Sequence, residues 1–157
     1  MIAQSDLPKD IIIRDYGEVG VNNDQKVRVL VVKDGYGMVR VSIQTWWQES
    51  GNEEWIMGRG FRLRGRHSMA LGRIIASGIK STQEGRVGGL SISNTQEIRV
   101  EATYVSGALV LEIYKWWRVN TDSQWTKSKG FTLELSKSPL LGKMLIEGGS
   151  HIVHVQD

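Results

Sequence analysis

The sequence predicts an α+β fold built from two copies of one unit, in which four antiparallel strands are followed by a single helix. Three observations carry this. The first is an internal repeat. Val41-Ser-Ile-Gln-Thr-Trp-Trp47 resembles Leu111-Glu-Ile-Tyr-Lys-Trp-Trp117, and Trp55, Gly60-Phe61, Leu63, Leu71-Gly72 and Gly78 recur at the same spacing as Trp125, Gly130-Phe131, Leu133, Leu141-Gly142 and Gly148. Tryptophan is rare, so matched tryptophans at one spacing mark a duplication. The second is strand-like alternation in each copy that gives way to the three-and-four spacing of a helix. The third is glycine in the connecting turns, where tight hairpins need positive φ.

In the first copy, Val27 to Val32 alternates as a strand, Asp34-Gly-Tyr-Gly37 turns, and Val39 to Trp46 returns. A polar loop over 48–54 leads to a third strand around Trp55 to Met57 and a fourth around Phe61 to Arg64. Leu71, Ile74 and Ile75 then form a helical stripe with Ser68 as its expected N-cap. The second copy places Ser138 at the cap, Pro139 in the first turn, Leu141, Met144 and Leu145 on the stripe, and Gly148-Gly149 at the helix end. The resulting division is an N-terminal extension over 1–26, repeat one over 27–79, a polar glycine-rich linker over 80–96, repeat two over 97–149 and a tail over 150–157. Ile11-Ile-Ile13 can add a strand, and Ile152, Val153 and Val155 suggest a terminal strand or docked tail.

Composition narrows the function. The chain has 157 residues, 40% of them hydrophobic, enough for a packed interior. It has no cysteine, which removes disulfides and thiolate metal sites. No run reaches the roughly 18 apolar residues of a membrane span, and the first residues do not read as a signal peptide, so a cytoplasmic, intracellular protein is expected, nucleoid-associated if cellular. His151 and His154 lack carboxylates or thiols at ligand spacing, so no metal or other cofactor is expected. No nucleophile, base and orienting group recur together, so the chain does not read as an enzyme.

The net charge is +3, a weak pointer to a polyanionic partner on its own. Its distribution says more, with Arg59, Arg62, Arg64, Arg66 and His67 crowded into one stretch. Strand alternation puts Val39, Val41, Ile43, Phe61 and Leu63 under the helix, leaving Met38, Arg40, Ser42, Gln44, Arg62 and Arg64 on the other face. In repeat two, Leu109, Leu111 and Ile113 take the helix side, and Val110, Glu112, Tyr114 and Thr132 the open side. Neighbouring strand residues point oppositely, which favours Trp47 and Trp117 as surface members of the Trp-Trp pairs; Trp46 and Trp116 stay open between core and surface. Arginines beside aromatics suit single-stranded nucleic acid, whose bases stack on rings while its phosphates meet cations.

The stretch Ile43-Gln-Thr-Trp-Trp47, Gly51, Glu53 and Arg59-Gly-Phe-Arg-Leu63 resembles the DNA-binding domain of the positive cofactor four family of transcription coactivators. Ile113, Trp116-Trp117 and Lys129-Gly-Phe-Thr-Leu133 fit the same pattern without the Gly/Glu loop. The resemblance covers 27–78 and 97–148. It implies curved four-stranded antiparallel sheets, each with its helix, paired about a two-fold and binding single strands. One chain with two repeats would then form an internal pseudo-dimer. Carried onto this sequence, the resemblance implies DNA contacts by Trp47 and Trp117 and by Arg59 and Lys129. Trp55 and Trp125 fall where the family has a loop lysine. The first hairpin, where the family uses an aromatic and lysines, offers Tyr36 and Met38 here and Tyr104 and Ser106 in the second copy.

The expected function is sequence-tolerant binding of single-stranded DNA or RNA in transcription, replication, recombination or repair. Its expected contacts are Trp47, Trp117, Arg59, Lys129, Trp55, Trp125, Tyr36, Arg40, Arg62, Arg64, Tyr114 and Lys127. Two alternatives use the same exposed tryptophans: a carbohydrate-binding module that stacks them on sugar rings, and a protein-interaction scaffold that uses them as anchors. Further self-association and transcription or replication proteins as partners fit either nucleic-acid role.

Overall fold

The computed structural model describes residues 9–49, 51, 53–58 and 60–154. The chain runs β1 (Ile11–Asn22), β2 (Gln25–Lys33), β3 (Val39–Trp47), β4 (Ile56–Met57), β5 (Phe61–Leu63), α1 (Gly65–Ser77), β6 (Gly85–Ser93), β7 (Gln96–Val105), β8 (Ala108–Trp117), β9 (Thr126–Glu134) and α2 (Ser138–Val153). The class is α+β, with two antiparallel sheets each followed by a helix. One sheet is ordered β1-β2-β3, with β4 and β5 both on the far side of β3; the other is ordered β6-β7-β8-β9. Each sheet therefore has four strand positions. In repeat one the fourth is divided, β4 pairing with Trp46 and Trp47 and β5 with Val41 to Ile43. In repeat two β9 runs through, with a register shift between Tyr114 and Trp116.

Alternation explains the core. Val27, Val29, Val31, Val41, Ile43, Phe61 and Leu63 of the first sheet are buried with Ile98, Val100, Leu111, Ile113, Phe131 and Leu133 of the second. Leu71 and Ile75 of α1 and Leu141, Leu145 and Ile152 of α2 complete the same cluster. The two helices cross where glycine removes the side chain from each. A Cβ on Gly72 would lie 2.6 Å from the Gly142 carbonyl oxygen, and one on Gly142 would lie 2.5 Å from that of Gly72. The Phe61 and Phe131 rings, equivalent in the repeat, also meet, with centroids 6.3 Å apart.

Several elements differ from the sequence expectation. The stretch over 80–96 is not a linker: it carries β6, the edge strand of the second sheet, and β1 plays that part for the first sheet within 1–26. Both are edge strands interrupted by register shifts. In β6, Gly88 lies where a Cβ would strike Ile74 of α1, so its glycine is a packing residue and not a loop signal. Gly148 and Gly149 do not end α2, which continues to Val153 with Ile152 buried. A Cβ on Gly149 would overlap the Gly65 carbonyl oxygen, so this glycine serves a helix contact. The expected terminal strand is thus helix as far as Val153, and Val155 lies outside the described residues. Neither serine caps. Helix α1 starts earlier, at Gly65, and the buried Ser68 hydroxyl donates 2.7 Å to the Leu145 carbonyl of α2. Ser138 donates to the Leu135 carbonyl. Ser42, expected on the open face, is buried, between Leu30 and Arg62 in the register.

Gly130 gives the first test. A Cβ there would overlap the Ile113 carbonyl oxygen across β8–β9 and lie 2.5 Å from Cγ of Tyr114. Gly130→Ala is expected to cost about 1–3 kcal/mol by forcing the strands apart. Urea unfolding reads this directly, and an unchanged midpoint would contradict the close approach.

Candidate nucleic-acid interface

Burial fades along one row of β3. Val41 and Ile43 are fully buried, Thr45 is half-buried, and Trp47 is 38% exposed. At this exposed end a cavity of about 220 Å³ opens between the repeats. Lys26, Thr45, Trp46 and Trp47 line it from repeat one, and Tyr114, Phe131 and Thr132 from repeat two. Three different aromatic chemistries and one ammonium therefore converge on a slot that neither repeat forms alone. Trp46 adds a sheltered indole Nε1 with no hydrogen-bond partner among the described residues.

At the cavity and beyond it, rings and cations are already paired. Lys26 Nζ lies 4.3 Å from the Trp55 ring centroid. On the second sheet the Arg99 guanidinium lies 4.1 Å from Trp116 and 5.8 Å from Trp125, whose ring also carries Arg118 at 4.2 Å. Lys127 Nζ sits 4.1 Å from Tyr114 and 2.9 Å from Glu112. Such contacts hold side chains in fixed poses, each contributing about 0.5–1 kcal/mol at exposed sites. They set one cation against each of the Trp55, Trp116 and Tyr114 rings and two against Trp125.

No protein-family model matches the chain, and no curated protein matches it.

The structure sorts the sequence-predicted contacts into groups. Trp47 and Tyr114 share the inter-repeat cavity. Trp117 is exposed at 43% but is not among the residues lining that cavity. Trp55, Trp125 and Lys127 are in the cation–ring pairs. Lys129 Nζ lies 6.0 Å from the Phe61 ring, reaching across from one repeat to the other. Arg40, Arg62 and Arg64 surround a separate cavity at the other end of β3. Tyr36 stands exposed in the β2–β3 turn. Arg59 lies outside the described residues. Among the described residues no group of three or more potential ligands can hold a metal ion, and no helix is long and apolar enough to cross a membrane.

Sequence reasoning did not identify the acidic partners. Arg28 pairs with Asp15 and Glu18, Lys26 with Glu18, Arg62 with Asp10, and Arg99 with Glu97 at 2.5 Å. The more exposed of these, Arg28 with Asp15 and Glu18 and Arg62 with Asp10, contribute about 0–1 kcal/mol each and weaken with salt, so a phosphate can take the carboxylate's place. It also did not identify Arg99 and Arg118 as ring partners. The register does contain a signal for Arg99, which stands opposite Tyr114 and diagonal to Trp116 across β7–β8.

Asp34 shapes the β2–β3 turn. Its carboxylate accepts from the Tyr36 and Met38 amides at 2.8 and 3.0 Å. The Met38 amide bond is the main cause holding its pKa below the usual carboxylate range; desolvation opposes, and Tyr36, Arg40 and Arg62 add to the lowering. A depressed folded-state pKa stabilises the fold above the unfolded-state value and is lost as pH falls through the folded value. Asp34→Asn is therefore expected to flatten the acid limb of the stability profile. An unchanged profile between the parent and Asp34→Asn would contradict this role.

Proposed function

We propose that this protein binds single-stranded nucleic acid without strong sequence preference, and that it does so without enzymatic chemistry. The observation that supports this best is the aromatic cavity between the repeats, with Trp47 and Tyr114 on its walls and Lys26 at its rim. An unpaired base offers two flat apolar faces, and stacking on a side-chain ring contributes about 1–3 kcal/mol per base. A base held inside a duplex cannot offer those faces. The cation–ring ladder of Arg99, Trp116, Trp125 and Arg118 extends the same chemistry along the second sheet.

In this reading the two repeats act as an internal pseudo-dimer of the positive cofactor four type. The reciprocal Gly72–Gly142 approach and the Phe61–Phe131 contact support it, since each joins a residue to its own equivalent. The processes served are those in which DNA or RNA is transiently single-stranded: transcription, replication, recombination or repair.

The test is a gel-shift series with oligonucleotides at several salt concentrations. Binding should weaken steeply with salt, because each phosphate neutralised releases counterions. Competition by soluble glycans would point to sugar stacking instead, and no shift at any salt would leave the aromatic surface to a protein partner.

A further inference from the structure

At the opposite end of β3, seven residues from Trp47, the arginines of repeat one gather around a cavity of about 330 Å³. At the usual rise per strand residue this lies roughly 23 Å from the Trp47 end. Arg40, Arg62, Leu63, Arg64, His67 and Ile92 line it, the last contributed by β6. Arg40 is steadied by donating 2.8 Å to the Val39 carbonyl, and Arg62 is paired with Asp10. The Asp34 carboxylate is within electrostatic reach of Arg40 and Arg62.

The duplication provides an internal comparison. At the places of Arg40, Arg62 and Arg64, repeat two carries Val110, Thr132 and Glu134, in the same strand register. The second copy forms the same sheet and helix without a single guanidinium there, so the fold does not require the three arginines. The position of Arg64 also opposes helix stability. Arg64 is the N-cap of α1, Arg66 and His67 follow in its first turn, and no acidic residue stands there. Cations at a helix N-terminus face the positive end of the dipole. A cluster that the fold neither needs nor favours points to an anion.

We propose that this cavity is a phosphate site, formed by Arg40, Arg62 and Arg64, for a group with three free oxygens. Guanidinium forks pair bidentately with phosphate oxygens. A terminal phosphomonoester presents three such oxygens and close to two charges near neutral pH, whereas an internal diester presents two oxygens and one charge. The source is either the phosphorylated end of a bound strand or free inorganic phosphate. The strand end rests on the proposed nucleic-acid function; the free ion does not. With a strand end as ligand, the arginine cavity holds the terminus, which gives binding a direction.

The experiment compares one oligonucleotide carrying a 5′-phosphate, a 3′-phosphate or hydroxyls at both ends, using the parent protein and Arg64→Gln. In parallel, inorganic phosphate alone is followed by phosphorus-31 line broadening with both proteins, and thermal melting checks that the variant is folded. One phosphorylated end is expected to bind about tenfold more tightly than the hydroxyl form, the effect of one net charge-assisted hydrogen bond. Arg64→Gln should bind all three alike. Broadening by the parent alone, without an end preference, assigns the site to free phosphate. Broadening with no oligonucleotide binding at all keeps the phosphate site and removes the strand-binding function. No end preference together with no broadening overturns the proposal.

Discussion

Gly142→Ala is expected to destabilise the protein by about 2 kcal/mol, lowering its melting temperature by roughly 4–8 °C. Two effects of opposite sign compete. Alanine in a helix interior is favoured over glycine by about 1 kcal/mol. Against this, the new methyl would lie 2.5 Å from the Gly72 carbonyl oxygen and 2.8 Å from the Ala76 Cβ. A carbonyl of the facing helix cannot swing aside as a flexible side chain can, so α1 and α2 must separate along their whole contact. That contact includes Leu71, Ile75, Leu141 and Leu145, all fully buried, and loosening it outweighs the propensity gain. Gly72→Ala should behave similarly, since its methyl would meet the Gly142 carbonyl at 2.6 Å and Ile146 Cγ1 at 2.9 Å. The double substitution should cost less than the two added together, because one separation of the helices accommodates both methyls. A single variant that melts at or above the parent temperature would show that the helices do not meet backbone to backbone.

Trp47→Ala is expected to weaken single-strand binding by about 1–3 kcal/mol, which is roughly 5- to 150-fold. Trp47 is exposed at the end of its strand row, so the substitution removes a binding surface with little loss of core. Tyr114→Ala removes the facing wall contributed by repeat two and should produce a loss of the same order. The two losses should not add, because both rings are proposed to hold the same base. Trp117→Ala should have the smaller effect. Trp117 is equally exposed but is not among the residues lining the inter-repeat cavity, and the basic cluster of repeat one is replaced on its sheet by Val110, Thr132 and Glu134. Equal losses for Trp47→Ala and Trp117→Ala would remove this asymmetry between the repeats.

The parts of the fold that were legible in the sequence are those whose residues have one job. Val27, Val29 and Val31, and Val39, Val41 and Ile43, recur at strand spacing because that row is buried, and Leu141, Met144 and Leu145 repeat at helical spacing for the same reason. The edge strands were hidden. Register shifts in β1 between Ile12 and Arg14, Asp15 and Gly17, and Gly20 and Asn22 break the alternation that marks a strand. In β6, Gly88 and Gly89 read as loop, although Gly88 makes room for Ile74. Glycine misled again at 148 and 149, where close helix packing looks in sequence like a helix stop. The site divides in the same way. Strand parity places Trp47 in the same row as the buried Val41 and Ile43, and its exposure comes from its place at the end of that row. Its neighbour Tyr114 belongs to the other repeat, and only the packing of one repeat on the other brings them to one cavity.

The central claim is that unpaired bases are the ligand, and equilibrium titration of single- against double-stranded oligonucleotides of equal length and sequence tests it most directly. Measured by quenching of tryptophan fluorescence at several salt concentrations, the single strand should bind more tightly at every salt. Its affinity should fall linearly on a logarithmic salt scale, with a slope set by the phosphates contacted. Equal affinity for the duplex, with no dependence on salt, would contradict the claim.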